Sequence, residues 1–262
     1  MPEIRDRTAI RAILNADPQW SVYALGDLAP GYFEHCRWYS NGARALILLY
    51  QAVTPPVLLA VGEPAEIVAL AEEIDAPSLY LHVLAPVAVA LAARYRLVRL
   101  TPMLRMVLDP SRFRPESGDN TARLGPADTE RIARLYEDGR QTGESPDFFF
   151  PSMVENGVFF GAHEGGELVA VAGTHLVAPE EGVGAIGNVY TRRDRRGRGY
   201  AGRLTGAVAA ELLRQKVRLV ALNVIRANAA AIRVYERLGF AAYCEFVEGL
   251  AERHAETVSS RL

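Results

Sequence analysis

Lysine is almost missing from this chain: Lys216 stands alone among 29 basic residues, and the rest are arginine. That skew makes short arginine-containing motifs more frequent by chance, so arginines alone identify nothing. Cysteine is scarce too. Cys36 and Cys244 lie far apart, without metal-ligand spacing, and both read as buried free thiols; no metal is expected. A net charge of -2 supplies no global field for nucleic acid or for an anionic membrane. No apolar run approaches the roughly 20 residues that cross a bilayer. Met1-Pro2-Glu3 opens a polar stretch rather than an apolar leader, so the expected location is cytoplasmic.

What is present is an ordinary globular mixture, 50% hydrophobic and 23% charged. At about 150 residues per domain, 262 residues suggest two modest domains. The stretch 109–120, DPSRFRPESGDN, carries two prolines, a glycine and no apolar periodicity in its second half, which places the junction there. The expected domains are 1–115 and 121–262. The first reads as a smaller α/β domain: helices at 5–15, 64–74 and 86–95, and strands at 45–50, 57–61, 78–84 and 97–108. Within LYLHVL, alternation makes His82 a strand side chain rather than a ligand.

The second half is more sharply patterned. A helix is expected over 126–138, opened by cap-like Asp128 and Thr129. Strands at 158–164 and 167–177 flank Gly165-Gly166, a two-residue hairpin signal. A strand at 185–191 precedes an arginine- and glycine-rich loop. A helix over 200–216, a strand over 217–225, a short helix over 228–238 stopped by Gly239, and a strand over 240–247 complete the half.

The loop carries the most information. Gly197 and Gly199 lie between an apolar strand and a helix start, where the first N–H groups have no intrahelical partner and the macrodipole is positive. Glycines let such a backbone approach a phosphate, and Arg192, Arg193, Arg195, Arg196 and Arg198 add a positive field. The chemistry this suits is a diphosphate; an arginine-rich surface turn is the bland alternative. Gly197, Gly199 and Gly202 also satisfy G-x-G-x-x-G. A dinucleotide site expects an acidic residue at the end of the next strand, and VRLVALNVI ends without one, with only Arg226 to suit a 2′-phosphate.

Asn228 and Tyr235 are two helical turns apart, on one face, with Ala231 between them. Asn is a good N-cap, and a helical Tyr is often plain core. Together, Arg196-Gly197-Arg198-Gly199-Tyr200-Ala201 and Asn228…Ala231…Tyr235…Gly239-Phe240 resemble the R-x-x-G-x-G/A and N-x-x-A…Y…G-F segments of the GNAT superfamily of N-acetyltransferases. The resemblance covers about 121–247; the first half shows none at motif level.

The resemblance implies a mixed α/β sheet of GNAT-like acyl-CoA N-acyltransferase fold, and an acyl-CoA (acetyl-CoA or another) wedged between strands 185–191 and 217–225. Val189, Tyr190 and Thr191 would offer main-chain groups to the pantetheine arm and the oxyanion. Arg196, Gly197, Arg198, Gly199, Tyr200 and Ala201 would hold the pyrophosphate. Asn228 would lie near the arm, and Tyr235 near the sulfur as the acid for the leaving thiolate. The first domain is read as a degenerate copy whose Glu63 stands where a phosphate would be, so no cofactor is expected there.

The implied activity is acyl transfer to a primary amine of a small molecule or peptide. A non-catalytic CoA-binding module and an NADP-binding oxidoreductase are the alternatives. The base is unassigned among Glu144, His175, Glu180, Glu181 or a water chain. Acceptor choice is assigned to 141–153, where Phe148, Phe149 and Phe150 line a pocket or, the favoured reading, plug the domain interface. The sequence sets neither the amine nor the oligomeric state.

Overall fold

The computed structural model describes residues 3–42, 44–116, 121–146 and 148–254. Residues 117–120 of the expected junction and Asp147 of the acceptor segment lie outside that set. The chain forms two compact units, Met1–Met103 with Glu245–Leu262, and Leu104–Cys244.

In the first unit, α1 (Arg7–Leu14) and α2 (Val22–Gly26) precede strands β1 (Cys36–Ser40), β2 (Leu46–Tyr50) and β3 (Val57–Val61). Helix α3 (Pro64–Ala71), strand β4 (Ser78–Val83) and helix α4 (Ala85–Leu91) follow, leading into β5 (Tyr95–Leu108). Asp6 caps α1, its carboxylate accepting from the amides of Thr8 (2.8 Å) and Ala9 (3.3 Å). Strands β1, β2 and β3 form an antiparallel meander, and β4 lies parallel to β3 after the α3 crossover. Neither β1 nor α2 is evident in the sequence pattern.

Parallel pairing of β3 with β4 is confined to Val57–Leu59 and Tyr80–His82. Beyond it, the indole N–H of Trp20 donates to the Ala60 carbonyl at 2.9 Å. Trp20 is only 3% exposed and packs on His82, with 5.4 Å between ring centroids. A buried indole thus occupies the main-chain acceptor at the end of this strand pair. The following turn offers little to an anion: Gly62 has φ +124° and packs against Ala45, Glu63 is the residue before α3, and Pro64 lacks an N–H.

Half-buried Asp27 ends α2, and burial raises its carboxyl pKa to about 7. A folded pKa above the unfolded value means the fold retains a proton that the unfolded chain releases between about pH 4 and 7. Stability from this group is therefore full in acid, falls through that window and is flat above it. Asp27→Asn should raise the melting temperature at pH 8 by several degrees and leave it nearly unchanged at pH 4. Parallel melting-temperature curves for the two proteins across that range would refute this.

The second unit contains β6 (Thr121–Leu124), α5 (Thr129–Arg140), α6 (Pro151–Asn156), β7 (Phe159–Glu164), β8 (Glu167–Ala178) and β9 (Val183–Thr191). It continues with α7 (Tyr200–Arg214), β10 (Leu219–Ile225), α8 (Ala229–Leu238) and the start of β11 (Phe240–Arg253). Its strands run β10-β9-β8-β7-β6, with β5 on the far side of β10. The hairpin β7–β8 turns on Gly165 (φ 57°) and Gly166 (φ 84°), as their sequence suggested. Strand β9 is antiparallel to β8 and parallel to β10. That pattern, antiparallel from β6 through β9, departs from the mostly parallel, doubly wound sheet of a dinucleotide fold.

Residues 109–116 are a packed strap rather than a free tether. Asp109 N–H donates to Gly239 O (3.0 Å), and Arg114 N–H to Leu238 O (3.2 Å). Gly239, at φ +101°, ends α8, and an added Cβ would meet Arg112 O at 2.6 Å. The two units also exchange strands. The first is completed by β11, whose Val247–Glu252 stretch pairs with β4; the second takes in the end of β5 beside β10. Cys36 is buried and Cys244 partly so, and neither forms a disulfide.

Candidate active site

Parallel pairing of β9 with β10 covers Val183–Ile186 and Leu219–Leu222 and then stops, although β9 continues to Thr191 and β10 to Ile225. Two register shifts lie beside the opening. In β8, His175 is the extra residue between the pairs Thr174↔Ile186 and Leu176↔Ala185. In β9, the extra residue falls between Gly187 and Tyr190. Bulges of this kind bend a strand and re-aim its side chains.

Side-chain parity records the slip. Ile186 and Val189, three residues apart, both join the core beneath α7, while Tyr190 packs with α5 residues. Gly187 and Asn188 therefore both face the α5–α6 side. Asn188 takes φ 55°, which Asn tolerates better than most side chains. A Cβ on Gly187 would overlap the His175 ring, so the ring lies directly over this glycine.

Beyond the bulge the backbone alternates again. Arg192 N–H donates to Val169 O of β8 at 2.9 Å, so the N–H groups of Val189 and Thr191 turn to the β10 side. Tyr190 presents its amide to β8 instead, and its hydroxyl donates to Asp138 Oδ2 at 2.8 Å. Of the three main-chain positions expected at the cleft, Val189 and Thr191 face the gap and Tyr190 does not. The Thr191 carbonyl accepts from Arg196 Nε at 3.3 Å.

After a short turn, Arg193–Arg195, the chain reaches Gly197 (φ 78°) and Gly199 (φ 79°), the latter capping the 15-residue helix α7. The first turn's hydrogen bonding begins with Arg203 N–H to Gly199 O at 3.2 Å. Among the described residues, no acceptor meets the N–H groups of residues 197–202. Space stands open beside them: a Cβ would meet nothing within 4 Å at Gly197, and only Arg203 Nη1, at 3.8 Å, at Gly199. Consecutive free amides at a helix start make an anion-binding concavity.

The arginine field expected from the sequence is largely neutralised. Arg192 pairs with Glu167 and Asp194, Arg193 with Asp138, Arg195 with Glu164 and Asp194, and Arg198 with Glu164. Arg196 holds both Glu144 oxygens, at 2.9 and 3.2 Å. Tyr200 is also tied by its hydroxyl to Glu164. Counting arginines in a sequence overstates the local charge when carboxylates far along the chain fold against them. The main chain, not the guanidinium groups, supplies the donors still available here.

Asn228 caps α8, its Oδ1 accepting from Ala231 N–H at 3.1 Å, while its Nδ2 meets no acceptor among the described residues. Two turns on, Tyr235 is 7% exposed and lies edge-on to Phe240, with 6.2 Å between centroids. Burial pushes its hydroxyl pKa up to about 12, and no described residue hydrogen-bonds it.

The candidate bases separate clearly. Glu144 is held by Arg196 and by the Thr142 hydroxyl (2.9 Å), which lower its pKa and make it a poor proton acceptor. Glu180 and Glu181 occupy the β8–β9 turn, next to Gly182, whose carbonyl accepts from Arg218 and Leu219. That is the closed end of the strand pair, about 13 Å of strand from the opening at ~3.3 Å per residue. His175 alone among them lies where the pairing ends. In the acceptor segment, Phe149 packs edge-on against Tyr136 (5.1 Å) and Phe159 (6.2 Å), inside the second unit's own core. Phe149 is partly buried against that cluster, and Phe150 is exposed.

Residues 129–240 match the Acetyltransferase (GNAT) family. No curated protein matches the chain. Among solved structures, a GNAT-family acetyltransferase of Novosphingobium aromaticivorans superposes with TM-score 0.60 at 24% identity, covering 80% of this chain and 89% of that one. A GCN5-related N-acetyltransferase of Kribbella flavida gives 0.61 at 18%, covering 90% and 97%. A tandem GNAT protein from the clavulanic acid biosynthesis pathway gives 0.57 at 16%, covering 97% of this chain and 98% of its own. At these identities the structures attest the fold, and the tandem protein extends it over nearly the whole chain. The second unit therefore holds the stretch that matches the GNAT family of acetyltransferases, and the fold of the tandem GNAT protein extends over the chain before it.

Proposed function

We propose that the protein transfers an acetyl or other short acyl group from acyl-CoA to a primary amine of a small molecule or peptide. The observation that carries this reading is the run of free amides at 197–202, beside strands that part after Ile186 and Leu222. Diphosphate oxygens satisfy those donors, and the parted strands give a thioester-bearing arm a main-chain edge at Val189 and Thr191. Bond formation at the thioester carbonyl places negative charge on its oxygen, for which Val189 N–H is the donor facing the gap. As the C–S bond breaks, Tyr235 gives its hydroxyl proton to sulfur. His175 is the side chain best placed to take the proton from the amine.

Calorimetry with coenzyme A tests the binding step. One molecule should bind per chain, because the first unit fills the corresponding strand end with Trp20 and opens its helix with Glu63 and Pro64. Gly199→Ala puts a Cβ on a left-handed residue, a conformation costing about 1–2 kcal/mol. The amides should reorient and affinity should fall about tenfold. No binding heat, two sites per chain, or an unchanged Kd in Gly199→Ala would each count against the reading. Thiol release from acetyl-CoA with a panel of amines then separates an enzyme from a non-catalytic CoA-binding module.

A further inference from the structure

Asn188 is 4% exposed, and its carbonyl and side-chain nitrogen have partners. Its carbonyl accepts from the Tyr136 hydroxyl at 2.9 Å, and its Nδ2 faces Met153 Sδ at 3.5 Å. The remaining side-chain atom, Oδ1, is buried without a hydrogen-bond partner among the described residues. An orphaned buried amide oxygen destabilises the fold, and a left-handed backbone adds to that. Two costs at one residue, beside a bulge and next to the end of the β9–β10 pairing, call for a compensating role.

We infer that Asn188 Oδ1 is the acceptor-positioning atom: it accepts one N–H of the incoming amine and holds the nitrogen against the thioester carbonyl. The inference rests on the acyl-transfer reading above and extends it to the second substrate. Three features support it. The bulge puts Asn188 on the α5–α6 side together with Gly187, over which the His175 ring lies, so a hydrogen-bond acceptor and a candidate base share one face. Tyr136 is itself buried, and burial raises its pKa well above the usual phenol value, so its hydroxyl remains a proton donor and fixes the Asn188 backbone. Met153 occupies the Nδ2 side with a sulfur that is only a weak acceptor, which orients the amide with Oδ1 toward the unsatisfied side.

The chemistry balances. The amine lone pair forms the C–N bond, the C–S bond breaks, one amine proton passes to His175 or to water, and sulfur receives a proton from Tyr235. Asn188 neither gains nor loses a proton. It positions.

The test uses the full chain with acetyl-CoA and three amines (phenethylamine, spermidine and an alanyl tripeptide), read as thiol release. Asn188→Gly keeps the positive φ and removes the oxygen; Asn188→Asp keeps an oxygen at the same place. The Gly variant should bind coenzyme A with unchanged Kd and raise the KM of the best amine at least tenfold. The Asp variant should recover most of that loss. The proposal is overturned by an amine KM that does not change in the Gly variant, by a loss carried wholly in kcat with no recovery by Asp, or by no turnover of any of the three amines. Unchanged coenzyme A binding in all three proteins leaves the cofactor assignment standing in each of those cases, whereas no heat with the unaltered protein removes that assignment itself.

Discussion

Truncation after Cys244 should abolish the cooperative unfolding transition of the first unit. The missing segment supplies Val247–Glu252, which pairs antiparallel with Val83–Ser78, and without it β4 becomes an open edge. It also removes Phe246, 2% exposed and packed on His82 (4.6 Å) and Trp20 (5.5 Å), and the fully buried Ala251. Loss of one buried Phe side chain costs about 3–5 kcal/mol, and the lost ladder adds to that. A whole domain has only about 5–15 kcal/mol in hand. The shortened protein should be recovered as aggregate, or as a soluble form that binds a hydrophobic dye and shows one transition fewer on heating. A melting profile within a few degrees of the full chain would show that β11 is dispensable.

Tyr235→Phe should lower kcat by about 100-fold, the lower end for removal of a general acid, while coenzyme A binds within about twofold of the original affinity. Phe preserves the ring and its edge contact with Phe240, so packing is spared. With its pKa near 12, the hydroxyl is protonated throughout the working range. It is also a weaker acid than a thiol of pKa about 8.5, so the proton moves as the C–S bond breaks and not ahead of it. The pH profile carries a second signature. A fall in turnover between pH 8 and 10 would not be caused by Tyr235, and Tyr235→Phe should leave the shape of that limb intact. Turnover within about twofold of the unaltered enzyme would remove the assignment.

Local structure was well written in the sequence wherever one residue type forces one geometry. Gly165-Gly166 turned the hairpin, Gly239 stopped α8, and Asn228 capped it. The glycine loop was legible for the same reason, since a helix start has orphan amides whatever surrounds it. What the sequence concealed depends on partners far along the chain. Glu144, Glu164, Glu167 and Asp138 take up arginines that look free when read in a row. The β8 and β9 bulges depend on register between strands, so neither the re-aimed His175 nor the orphaned Asn188 oxygen could be read from alternation; an Asn within a strand-like run was the one faint signal. The crossings between units fall inside the continuous strands 95–108 and 240–253, and a strand reads the same whichever sheet it joins.

The exchange of β11 also sets an order of events during synthesis. The first unit cannot finish its sheet until residues 247–252 have been made, after the whole of the second unit. Domains usually fold as they emerge, N-terminal first. Here the first unit closes only after the second has been made, and until then it presents β4 as an unpaired apolar edge, Leu79, Leu81 and Val83, to whatever chaperones wait at the tunnel exit.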